Sequence, residues 1–181
     1  MSDQCAADSK RVNPPESTSC SRKLCSSGLS WTWVTLLVFV LDQASKYWVV
    51  GQLYVGEVRS WTSFFNLTLV YNPGAAWSFL ADMGGTQRWF LVGFSAFASL
   101  ALAVWLYTLR RSERWVSIAI ALILGGALGN LYDRIMWGEV VDFLDFFWSN
   151  YHFPAFNVAD SAITLGAGIL LIDLLFAKKT V

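Results

Sequence analysis

Residues 31–50 read WTWVTLLVFVLDQASKYWVV. Twenty mostly apolar residues are the length that crosses about 30 Å of hydrocarbon at about 1.5 Å per residue. Within the stretch stand Asp42 and Lys46, four apart and so on one helical face. Three more apolar segments follow, at about 89–109, 115–131 and 158–177. The third is short for a span, and its Gly125, Gly126 and Gly129 permit close helix packing. Any one segment could be a buried helix of a soluble protein. Four within 181 residues predict a mainly α membrane protein with four transmembrane helices.

Composition agrees. Charged residues make up 14% of the chain, against roughly 25% in soluble domains. Ten Trp and thirteen Phe suit membrane interfaces and apolar cores. The net charge of zero gives no basic field for nucleic acid. Cys5, Cys20 and Cys25 all precede residue 30, and His152 is the only histidine. A zinc site needs several converging N or S ligands, so none is expected. A carboxylate-only Mg²⁺ or Ca²⁺ site stays open on these grounds, and no cofactor is expected.

Residues 1–30 are rich in Ser, Cys, Lys and Asp, with Pro14–Pro15 and no hydrophobic period. They read as a disordered cytoplasmic tail. A signal peptide is the rival reading, but no small-residue cleavage site follows the apolar run. Residues 178–181 read as a second short cytoplasmic tail. Lys10, Arg11, Arg22 and Lys23 precede the first span, Arg110, Arg111 and Arg114 join the second to the third, and Lys178 and Lys179 follow the fourth. With alternating spans these fall on one side. The opposite loops carry only Arg59, Arg88 and Arg134. The positive-inside rule then places both termini in the cytoplasm.

The first outer loop is not helical in pattern. SFFNLTLVYN alternates and is rich in β-formers, and NPG at 72–74 makes a turn. A small β element resting on the outer membrane surface is expected over about residues 52–80.

An ionisable residue in or beside a membrane helix is a functional candidate by default. Asp42 lies in the outer half of the first span. The outer end of the third reads GNLYDR, with Asn130, Asp133 and Arg134, and EVVDFLDFF adds Glu139, Asp142 and Asp145. FNVADSA opens the fourth span with Asn157 and Asp160. All converge at one level near the outer face. Each has a bland reading: Asp133–Arg134 as an interfacial ion pair, Asn157 as a helix cap, Asp145 facing water, Asp42–Lys46 as a self-neutralising pair. Asp142 and Asp160 are harder to dismiss, because both stand in apolar company without a basic neighbour in sequence. Two carboxylates in a low-dielectric site share a proton. The charged member can activate water while the protonated one polarises a carbonyl. No Gly-x-Ser-x-Gly elbow is present, and the cysteines fall on the other side. A transporter would spread polar groups through the membrane depth, and Asp173 is the residue that favours it. A non-catalytic lipid-binding scaffold would tolerate Asn at both aspartates.

LDQASKYWV (41–49), FFNLTLVYNPGAAWSF (64–79), GGALGNLYDRIMWGEVVDFLDF (125–146) and FPAFNVADSAITLG (153–166) resemble, in order and spacing, bacterial lipoprotein signal peptidase, or signal peptidase II. The resemblance covers about residues 31–177, and the last two blocks are highly specific. It implies a four-helix protease of the inner membrane with a small periplasmic β cradle, which cleaves prolipoproteins before a diacylglyceryl-modified cysteine and is inhibited by globomycin. It implies that Asp142 and Asp160 are catalytic. It implies supporting roles for Asp42, Lys46, Asn72, Gly74, Asn130, Asp133, Arg134 and Asn157. Among these, Asn130, Arg134 and Asn157 would orient the dyad or the substrate, Asp42 and Asp133 would hold the scaffold, and Asn72 would touch the peptide near the scissile bond. Trp77 departs from the Phe common in the family. Trp61, Phe64, Phe65, Trp77 and Trp148 are candidates to close over a peptide.

Overall fold

A computed structural model describes residues 28–74, 86–110 and 112–176. Residues 1–27 of the expected 1–30 tail and the whole of the 178–181 tail, with all three cysteines and Trp77, lie outside the described residues, whereas residues 28–30, expected as disordered, are ordered. A 3-10 turn at Gly28–Trp31 leads into α1 (Thr32–Gln52), followed by α2 (Thr86–Thr108), α3 (Arg114–Met136) and α4 (Val158–Phe176). All four helices are long and apolar enough to cross a membrane. The third span is not short. It runs 23 residues and carries Asn130, Asp133 and Arg134 on its last two turns. The apolar count had stopped at those polar residues, but helix continues because their side chains find partners inside the protein.

The helices are inside-out relative to a soluble bundle. Leu36, Leu37, Val40, Phe94, Phe97, Leu100, Leu171 and Leu174 face outward, while Asp42, Lys46 and Asp133 are buried. Hydrocarbon rewards that arrangement, because apolar surface costs nothing there and unpaired charge costs much. Helix α3 is central, with α1, α2 and α4 each packed on it. Glycine makes this possible at two places beside the polar end. A Cβ on Gly129 would lie 2.5 Å from the Asp42 carboxylate, and one on Gly126 would strike the Ala159 carbonyl of α4. One apolar cluster, including Val34, Val38, Leu106, Ile120 and Leu124, fills the bundle away from the sheet.

The loops build one antiparallel sheet in the order β1 (Val58–Ser60), β2 (Phe65–Asn72), β3 (Val140–Trp148), β4 (Tyr151–His152). The expected cradle at 52–80 thus supplies only half of the sheet. The VVDF segment, between the third and fourth spans, is the strand that pairs with it. Val49 and Leu53 at the end of α1 pack with Leu67, Leu69, Val141 and Phe143 to seat the sheet on the bundle. A register irregularity between Leu67 and Val70 sets Val70 opposite Asp142 and Asn72 opposite Val140. Asp142 and Asn72 therefore share one face of the sheet.

Candidate active site

Asp160 sits in the first turn of α4. Asn157, just before the helix, accepts the Asp160 backbone N–H on its Oδ1 at 2.9 Å, and Asp160 Oδ2 accepts the Asn157 backbone N–H at 3.3 Å. This is a reciprocal capping box, which fixes the carboxylate against the helix N-terminus. The same Asn157 donates from Nδ2 to Asp142 Oδ1 at 2.7 Å. One fully buried amide thus holds both aspartates.

Asp142 comes from β3 and is 3% exposed. Its other oxygen accepts from Asn72 Nδ2 at 3.0 Å. Asn72 is itself locked, because its Oδ1 accepts the Gly74 N–H at 3.0 Å. Burial, then the neighbouring Asp160 carboxylate, pushes Asp142 up to about 7, against the pull of the two Asn donors and Lys46. A carboxyl poised there holds or gives up a proton near neutrality, as an acid–base group must.

Asn130 closes the other side. Its Nδ2 donates to Asp160 Oδ1 at 2.8 Å, and its Oδ1 accepts from Lys46 Nζ at 3.1 Å. The Arg134 guanidinium donates to the Gly74 carbonyl at 3.0 Å, and its Nε is buried without a hydrogen-bond partner among the described residues. Behind these lies an ionic cluster in which Lys46 Nζ is 2.8 Å from both Asp42 and Asp133.

Asp142, Asp160 and the eight supporting residues that the resemblance implies gather at this end of the bundle. Two bland readings fail. Asp133 pairs with Lys46 rather than with Arg134, and Asp145 does not face water: it is 7% exposed and held by Asn66 and His152. Two readings change in part. Asn157 caps α4 but also grips Asp142, and the Asp42–Lys46 pair is shared with Asp133. Asn72 contacts Asp142. Gln43 was missed. Its Nε2 reaches Asp133 at 2.9 Å and Asp42 at 3.1 Å. The rule that flags a polar residue in an apolar span would have found it. Phe64 and Phe65 pack on Phe146, which stacks on Phe156, while Trp61 meets Phe65 edge-on and Trp148 is largely exposed. Glu139 is half-buried and Asp173, on α4, lies far from the dyad end of that helix.

The model of the family described as signal peptidase (SPase) II matches residues 34–176. This chain belongs to the signal peptidase II family. It is 53% identical to the lipoprotein signal peptidase of Pseudomonas fluorescens over 154 residues, 84% of this chain and 91% of the relative. It is 54% identical to that of Aeromonas hydrophila over 152 residues, 81% and 89% of the two chains. The fold matches a solved bacterial membrane enzyme with a TM-score of 0.74 at 32% identity, covering 84% of this chain and 93% of the other. A second solved bacterial membrane enzyme matches at 0.72 and 33%, over 83% and 94%. The chain is a multi-pass membrane protease of lipoprotein processing, as its family and its four spans establish.

Proposed function

We propose that this signal peptidase II works as an aspartic endopeptidase, cleaving diacylglyceryl-modified prolipoproteins just before the lipidated cysteine. Asp142 and Asp160 are the catalytic pair. The observation that carries this is Asn157, whose amide and backbone bind both carboxylates at once.

Asp160, at a helix N-terminus and accepting from Asn130 and the Asn157 N–H, serves as the base. It takes a proton from water as the oxygen attacks the scissile carbonyl. Asp142, lifted to about 7, holds the shared proton and hydrogen-bonds the carbonyl oxygen as charge develops. Collapse of the tetrahedral intermediate breaks the C–N bond, and a dyad proton goes to the cysteine nitrogen. Asn72, Asn130, Asn157 and Arg134 orient the dyad and the peptide backbone.

The basic residues Arg110 and Arg114 lie at the end of the bundle away from the sheet. That supports cytoplasmic termini and a dyad near the outer face. A lipid-anchored peptide reaches such a site sideways from the bilayer. Globomycin is expected to compete for it. The test is a comparison of one prolipoprotein with and without diacylglyceryl at its cysteine. Cleavage of the modified form alone is expected. Equal cleavage of both would overturn the substrate assignment.

A further inference from the structure

Behind the dyad the chain makes the same contact twice. Asp42 Oδ1 accepts the backbone N–H of Ala159 at 2.9 Å, and Ala159 is the residue before Asp160. Asp133 Oδ2 accepts the backbone N–H of Val141 at 3.3 Å, and Val141 is the residue before Asp142. Lys46 joins the two holders, with Nζ 2.8 Å from each carboxylate. Its third proton goes to Asn130 Oδ1, which turns the Asn130 NH₂ toward Asp160. An ammonium has three donors, and all three are used here. Gln43 braces the assembly by reaching Asp133, Asp42 and the Gly129 carbonyl from one amide nitrogen.

We propose that Asp42, Lys46, Asp133 and Gln43 are positioning residues that set the spacing of the two catalytic aspartates. The proposal rests on the reading of Asp142 and Asp160 as the catalytic pair. The helix and the strand that carry the dyad come from distant parts of the chain. Asn157 bonds the backbone of both from the dyad side, and the ionic cluster on α1 and α3 ties both to one point from behind. Stability alone does not call for it. A buried ion triad is replaced by apolar side chains of like volume at little or no cost in stability. What such packing does not supply is two directed acceptors, one for each backbone N–H.

The test uses the full-length enzyme in detergent and a diacylglyceryl prolipoprotein. Two perturbations are compared with wild type: Gln43→Met, which keeps volume but removes the donors, and the combined change Asp42→Leu, Lys46→Met, Asp133→Leu. Gln43→Met is expected to lower kcat about ten-fold with KM within about two-fold, since small misplacements of reacting groups act on the chemical step. The apolar triple variant is expected to lose kcat by about a hundred-fold or more, with a lower melting temperature because the backbone N–H groups of Ala159 and Val141 lose their acceptors. In Gln43→Met the two limbs of the pH profile also move together, because carboxylates that drift apart couple less. Wild-type kcat and pH profile in Gln43→Met would overturn the proposal, as would a change confined to KM or to melting temperature. If the triple variant fails to insert, Gln43→Met decides. If Asp142→Asn and Asp160→Asn still cleave, the dyad reading itself falls. If those are dead while Gln43→Met is unimpaired, only the positioning role falls.

Discussion

Gly126 offers a way to move the dyad without touching it. The residue lies on α3 one turn before Asn130, against the start of α4. A Cβ there would stand 2.8 Å from Ile163 Cγ1, and closer still to the carbonyl of Ala159, the residue before Asp160. Ordinary contact begins at 3.4 Å. Ile163 alone thus calls for about 0.6 Å of opening, and its side chain can rotate away. The Ala159 carbonyl is helix backbone and cannot, so α3 and α4 must part by on the order of 1 Å. Overpacking of this kind costs about 1–3 kcal/mol. A 1 Å displacement of reacting groups can cost about a hundred-fold in rate. Gly126→Ala is therefore expected to lower the melting temperature in detergent and to reduce kcat by about ten- to a hundred-fold. Gly93→Ala is the control, because nothing lies within 4 Å of a Cβ at that position. The assay is cleavage of a lipidated prolipoprotein beside thermal unfolding of both variants. Gly126→Ala with the kcat and melting temperature of Gly93→Ala would refute the reasoning.

Asn157→Leu removes a helix cap and the shared grip on both aspartates. It should cost about 1 kcal/mol or more, seen as a lower melting temperature, and abolish measurable cleavage. Folded Asp142 is raised from 3.8 to about 7, so between about pH 4 and 7 the folded state binds more protons than the unfolded state. The stability contribution of this group therefore falls as pH rises through that window. Asp142→Asn should remove that slope from the melting temperature against pH, and in wild type kcat/KM should decline as pH rises through about 7. Asp145 and His152 hold each other at 3.0 Å without joining the Asp142–Asp160 network, so Asp145→Asn should lower melting temperature while leaving cleavage within about three-fold. Because the dyad mechanism runs through carboxylates and water, EDTA should leave the cleavage rate unchanged.

The spans were legible because hydrocarbon imposes length and apolarity on the sequence directly. Helix α3 was misjudged at its end for a related reason. Hydropathy counts Asn130, Asp133 and Arg134 as breaks, whereas their partners Lys46, Asp160 and Gly74 lie on other elements and keep the helix going. The convergence of polar residues at one level was readable from orientation alone. Their pairing was not. Nothing local in EVVDFLDFF marks it as the partner of FNLTLVYN, because strand pairing across some seventy residues is a tertiary choice. Lys46 as a bridge between two carboxylates, and Asn157 as cap and clamp together, likewise emerge only when α1, α3, α4 and β3 meet. The assignment of Asp142 and Asp160 as a pair came from their apolar surroundings and the family resemblance. The geometry adds the reason they are held together.

The most direct test of the account is cleavage of a diacylglyceryl-modified prolipoprotein in detergent by wild type, Asp142→Asn and Asp160→Asn, each shown to be inserted and folded. The account predicts cleavage before the lipidated cysteine by wild type and none by either variant. Full activity in either folded variant would contradict it.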